Sequence, residues 1–148
     1  MPDYDRTTAL IVVDVQNDFA TAAGSLSVRG GEEVVAVINA EVEAALGAGA
    51  RVFYTQDWHP PSTPHFEKDG GIWPVHCVAG TAGAEFHPDL HVRGPVVRKG
   101  TEGEDGYSGF SMRHHETGET IRLSFDPASL LVFDEAGNAV AAPARHAA

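Results

Sequence analysis

One cysteine in 148 residues, Cys77, leaves the chain without an internal disulfide. A reducing compartment, the cytoplasm, is therefore the simplest expectation. No apolar run approaches the roughly 20 residues that span a bilayer. The opening MPDYDRTTAL lacks the basic segment and following apolar segment of a secretory signal. Basic residues are scarce: 10 Lys and Arg face 21 Asp and Glu, for a formal net charge of -11. Phosphate backbones and anionic membranes favour basic patches, so neither nucleic acid nor a membrane is expected as partner. Repeats and domain linkers are also absent. What remains is ordinary globular composition, 43% hydrophobic. Residues 1–148 fit a single domain, of a size that buries roughly 70% of its unfolded surface.

Residues 9–15, ALIVVDV, form a nearly unbroken apolar run with β-branched residues at its centre, as a strand buried on both faces does. Residues 32–46 place Val34, Val37, Ile38, Val42, Ala45 and Leu46 at helical spacing, and GAGA at 47–50 offers a glycine stop. A second strand is expected at 51–56, RVFYTQ. Strand, helix and strand with short links make a βαβ unit, which implies a parallel sheet. Residues 57–94 are rich in Pro and Gly, with room for one short helix near 83–90. A loop of that length in a compact domain is usually functional or disordered. Its Trp58, Phe66 and Trp73 favour order and function. A third strand is expected at 95–98 and a turn-rich stretch at 100–110. Near the end, 129–133 read as a strand, 134–138 as a turn, 139–142 as the returning arm of a hairpin, and 142–148 as frayed.

Three polar residues stand at the ends of the three expected strands: Asp14, Asp57 and Lys99. In an open parallel sheet the carboxyl ends of the strands share one edge, where ligands bind. Topology alone would gather these residues, although Asp14 could be a strand-end turn residue and Lys99 a solvated surface lysine. Asp57 also begins a D-x-H pair with His59, and His65 and His76 follow. Three imidazoles and a carboxylate within 20 residues suit Zn, Fe(II) or Mn(II); the alternative is a histidine-rich loop without metal. Cys77, next to His76, reads either as a nucleophile or as a small buried apolar residue. Neighbours in extended backbone point in opposite directions, which favours the second reading.

The segments ALIVVDVQNDF, GSLSVRGG, TQDWHP, PHF, WPVHCVAGTAGAEFHP, VRKGTE and DGYSGF resemble the nicotinamidase/pyrazinamidase branch of the isochorismatase-like cysteine hydrolases, in order and spacing, over about residues 8–120. The resemblance implies an α/β fold, a three-layer Rossmann-like parallel sheet. It also implies an amidohydrolase that turns nicotinamide or pyrazinamide into the acid and ammonia. On matching positions, Asp14 and Lys99 correspond to the catalytic aspartate and lysine. Asp57, His59, His65 and His76 correspond to the ligands of one divalent metal ion (Zn, Fe or Mn). Phe19 and Trp73 correspond to aromatics that sandwich the substrate ring, with Tyr107 near the same pocket. A small-molecule carboxamide is the implied partner, and relatives of this type often form homo-oligomers.

The resemblance also implies a segment of the type G-x-A-T-D-x-C-V that bears the nucleophilic thiol. Residues 121–148, IRLSFDPASLLVFDEAGNAVAAPARHAA, contain neither that segment nor any cysteine. The expectation is therefore a fold incomplete at its C-terminal end, with a divergent or truncated tail. The matching functional alternatives are an amidase lacking its thiol and a non-catalytic metal-binding remnant.

Overall fold

The computed structural model describes residues 4–103 and two short strands at 132–133 and 139–140. The chain divides into two compact units, Met1–Met112 and Arg113–Ala148. The first unit is built on a three-stranded sheet. Strands β1 (Ala9–Val13), β2 (Arg51–Asp57) and β3 (Val96–Lys99) lie in the order β1-β2-β3, with both pairings parallel. The register sets Val12 beside Tyr54 and Tyr54 beside Val96, so these side chains share one face. In the second unit, β4 (Val132–Phe133) pairs antiparallel with β5 (Ala139–Val140), as the expected hairpin requires. Its turn, 134–138, lies outside the described residues.

Helix α2 (Glu33–Gly47) is the crossover between β1 and β2 and packs on both. Its buried stripe is Val35, Val42 and Ala45, with Ile38 partly buried in the same cluster. The spacing 35, 38, 42, 45 is a helical face. It corrects the expected face in part: Val34, Val37 and Leu46 are 45%, 61% and 39% exposed, and Val35 takes the inward place. Glu32 makes no capping bond at the N-terminus, which forgoes about 1 kcal/mol. Burial outweighs that, since each fully buried aliphatic side chain contributes about 1.5–3 kcal/mol. The C-terminus is well closed. Gly49, at φ +80, donates to Leu46 O (3.0 Å) and Ala50 donates to Ala45 O (2.9 Å), a Schellman arrangement.

The remaining expectations need two corrections. The run 9–15 ends as a strand at Val13, because Asp14 takes φ +53 and turns the backbone out of the ladder. A single unforeseen helical turn, α1 (Asn17–Ala20), follows. No α-helix forms at 83–90; a 3₁₀ turn occupies Ala82–Ala84, and Phe86 makes an antiparallel bridge with Gln16. Leu90 closes the core from this loop, and Tyr54 Oη donates to His91 O at 2.7 Å. Among the described residues no helix is long and apolar enough to cross a membrane.

Candidate active site

The carboxyl ends of all three strands meet at one edge of the sheet, and their polar residues form one network. Lys99 is buried at 4% exposure. Its Nζ lies 2.8 Å from Asp14 Oδ2 and donates to Asp57 Oδ1. Asp14 Oδ1 accepts the hydroxyl of Thr55 at 2.6 Å. One cation thus stands between two carboxylates. Burial works against the charge of Lys99, but Asp14 and Asp57 outweigh it and hold the ammonium above its ordinary range. Burial likewise opposes ionisation of Asp57, while the His59 imidazole and the Lys99 charge hold its carboxyl below the usual value. Both partners are therefore ionised at neutral pH.

The long loop after β2 folds its histidines back onto this network. His59 donates its backbone N–H to Cys77 O (3.0 Å) and accepts from Ala79 N (2.8 Å), forming a parallel bridge with Val78. Phe66 and Trp73 form a second bridge. Through these pairings His59, His65 and His76, all buried, bring one nitrogen each within 4.8 Å of one another. Asp57 Oδ2 lies 3.7 Å from His59 Nε2 and 3.9 Å from His76 Nε2, too far for hydrogen bonds. His76 Nδ1 faces Pro74 O at 2.7 Å. A carbonyl only accepts, so Nδ1 is the donor in this contact and Nε2 is the nitrogen that faces Asp57.

His59 makes the strongest case for a metal. It is 0% exposed, and neither Nδ1 nor Nε2 has a hydrogen-bond partner. An unsatisfied buried polar atom costs about 1–3 kcal/mol. A divalent cation among three imidazoles and Asp57 would remove that penalty for one of the two nitrogens, Nε2 on the Asp57 side. The donor set suits Zn, Fe(II) or Mn(II).

Among the aromatic positions, Phe19 lies tilted against His76 with ring centroids 5.5 Å apart, and Trp73 lies 6.3 Å from His65. Both rings are partly exposed at the edge of the histidine cluster. Tyr107 lies outside the described residues. Cys77 is fully buried at φ +47. Burial first, then the charges of Asp57, Asp18 and Asp14, push its thiol far above the ordinary range. Its backbone N–H donates to Asp18 Oδ2 at 2.7 Å. The thiol is thus the small buried residue that the sequence offered as one of two readings.

Four neighbours escaped the sequence reading. Thr55 orients Asp14, and Asp18 holds the strained peptide after His76. Gly100, at φ +75, lies against the His59 ring so closely that any Cβ there would overlap Nδ1 and Cε1. Gln16, 0% exposed, bonds both peptide groups of Asp57.

Residues 8–114 match the isochorismatase domain family. The nicotinamidase/pyrazinamidase of Mycobacterium tuberculosis is 41% identical over 107 residues, covering 69% of this chain and 56% of that protein. The nicotinamidase of Escherichia coli is 36% identical over 120 residues, covering 69% and 56%. In structure, the pyrazinamidase of Pyrococcus horikoshii in complex with zinc aligns with a TM-score of 0.64 at 42% identity, covering 69% of this chain and 57% of that one. PnC1 from L. infantum in complex with nicotinate aligns with a TM-score of 0.65 at 41% identity, covering 74% and 56%. The chain spans little more than half the length of these relatives. With strand order, parallel pairing and sequence in agreement over this region, the chain belongs to the isochorismatase domain family, with the α/β fold of the isochorismatase-like hydrolases.

Proposed function

We propose that the protein works as a metal-dependent carboxamide hydrolase of the nicotinamidase/pyrazinamidase type, in which these 148 residues supply the metal and ring-binding part of the site. The observation that carries this reading is the buried His59, with two unpartnered nitrogens, beside His65, His76 and Asp57. Asp57, His59, His65 and His76 hold one divalent ion. When bound, such an ion offers Lewis-acid attachment for a ring nitrogen or water. Phe19 and Trp73 flank a planar heteroaromatic ring, with Tyr107 as a third aromatic. Relatives in complex with zinc and with nicotinate support an ion and a pyridine carboxylate or carboxamide as ligands.

Asp14 is the proton carrier. Oδ1 is fixed by Thr55 and Oδ2 by Lys99, which orients the carboxylate to take a proton from an attacking group and return it to departing ammonia. Lys99 balances negative charge at the reacting centre. A thiolate is the nucleophile suited to a carboxamide. Cys77, the chain's single cysteine, is too buried and too poorly acidic to serve. This favours a second reading for the chain on its own: a metal and pyridine-carboxamide binder without turnover. We also infer a single domain over residues 1–148, family-like over 8–120, a cytoplasmic setting, no nucleic-acid or membrane partner, and self-association. The charge of -11 and the lone cysteine support the middle two.

The test is direct. Zinc or Co(II) should bind the purified chain at one equivalent, and nicotinate or nicotinamide should bind only with metal present. Ammonia release from nicotinamide should stay at background. Pyridine binding that ignores metal, or metal binding that survives His59→Ala together with His76→Ala, would contradict the assignment.

A further inference from the structure

We infer that Gln16 is a positioning residue whose side-chain amide stands in for the missing end of β1 and sets the direction of the Asp57 carboxylate; this rests on the metal reading above. In the sheet, Thr55 O still takes the Asp14 N–H (3.2 Å), the last backbone rung between β1 and β2. Asp14 then turns at φ +53 and the β1 backbone leaves. Asp57, two residues further along β2, presents its next N–H and C=O toward the same side. The Gln16 amide meets both. Asp57 N–H donates to Gln16 Oε1 at 2.7 Å, and Gln16 Nε2 donates to Asp57 O at 2.7 Å and to Ala84 O at 2.8 Å.

These bonds lie on either side of the Asp57 Cα, so both of its backbone dihedrals are pinned and with them the Cα–Cβ direction. Lys99 fixes Oδ1, which leaves Oδ2 aimed at His59 and His76. A primary amide is the side chain that offers a donor and an acceptor in the geometry of a peptide group. Gln16→Glu keeps the size and the acceptor but puts oxygen against the carbonyls of Asp57 and Ala84. Gln56 makes a useful contrast: its Nε2 also donates to Ala84 O (3.0 Å), but the bonds it makes through Nε2 and Oε1 go to Ala84 and Arg98.

Co(II) titration of the full chain, followed by its visible absorption, tests the assignment. Gln16→Glu should weaken Co(II) binding about 10–100-fold, the range seen when a partner of a metal ligand is lost, and should shift the absorption band. Gln56→Ala, which removes the bonds to Ala84 and Arg98, should leave affinity and band near wild type. A wild-type spectrum that Gln16→Glu leaves unchanged, or that both variants change equally, overturns the inference. Absence of any Co(II) spectrum in the wild type overturns the metal reading itself, and this inference with it. Should Gln16→Glu fail to fold, ¹⁵N NMR of the wild type decides: the Gln16 side-chain amide protons should exchange slowly and move when Zn(II) is added. Fast exchange or unmoved signals count against the role.

Discussion

Lys99 Nζ and Asp14 Oδ2 stand 2.8 Å apart, joining the last residue of β3 to the residue that follows β1 across the intervening strand. The same ammonium serves the buried Asp57, so its removal strands two carboxylates at once. Breaking a buried pair on one side costs about 3–5 kcal/mol, mainly as uncompensated charge. Lys99→Met should therefore lower stability in urea by about 3 kcal/mol. Adding Asp57→Asn to Lys99→Met should recover part of the loss, because one stranded charge is gone. Strictly additive effects in that double-mutant cycle would show that the ammonium and Asp57 are not coupled.

Gly100 and Gly103 both have positive φ, +75 and +82, but only Gly100 is crowded. Alanine at either site takes a left-handed conformation that costs about 1–2 kcal/mol. Gly100→Ala must also displace the buried His59 ring, whereas a Cβ at Gly103 meets nothing within 4 Å. Gly100→Ala should lose more stability than Gly103→Ala, and it alone should weaken Zn(II) binding by calorimetry. Equal losses from the two variants, with metal affinity intact, would show that Gly100 answers only to backbone conformation.

How much of this was legible beforehand depends on what kind of interaction places each residue. The sheet was readable because the apolar runs at 9–15 and 51–56 are short and β-branched, and the helix between them has a clear period. The strand end was not: Val15 continues the apolar run, but Asp14 turns the backbone, and side-chain hydrophobicity carries no record of φ. Val35 was missed in favour of Val34 and Val37 because adjacent valines let the helical face rotate by one position. The site residues Asp57, His59, His65 and His76 stood out by type and density, and the family resemblance suggested their roles. Gln16, Thr55 and Asp18 did not stand out, since each acts on a partner at least 41 residues away in sequence.

Tyr4 gives the first unit a pH-dependent tie to α2. Its hydroxyl donates to Glu41 Oε2 at 2.7 Å. Burial, then this hydrogen bond and the Glu41 charge, raise its pKa from 10.0 to about 12. Below pH 10 the phenol is protonated in both folded and unfolded chains, and the contribution is fully present. Between pH 10 and about 12 the unfolded chain loses the proton first. The folded state then binds more protons, so stability falls as pH rises. The stability advantage of wild type over Tyr4→Phe in thermal melts should accordingly shrink across that window. A constant difference between pH 9 and pH 11.5 would remove Tyr4 as its source.

Cys77 provides the sharpest test of what the chain does alone. A nucleophilic thiol needs exposure and a lowered pKa. Cys77 has neither: it is 0% exposed, and burial with three nearby carboxylates raises its pKa. Its backbone, held at φ +47 by the bond from its N–H to Asp18, fixes the residue as a spacer between His76 and the Val78 bridge. In the native protein, alkylation by iodoacetamide at pH 8 should therefore be slower by at least about 100-fold than in urea, since reaction must wait for opening of the structure. Cys77→Ala should cost about 1 kcal/mol from the small cavity it leaves, retain Zn(II) binding, and leave ammonia release from nicotinamide at the same background as wild type. If the wild-type chain instead released ammonia at a rate that Cys77→Ala abolished, the buried thiol would have to reach the substrate, and the division of labour between metal site and nucleophile proposed for these residues would be wrong.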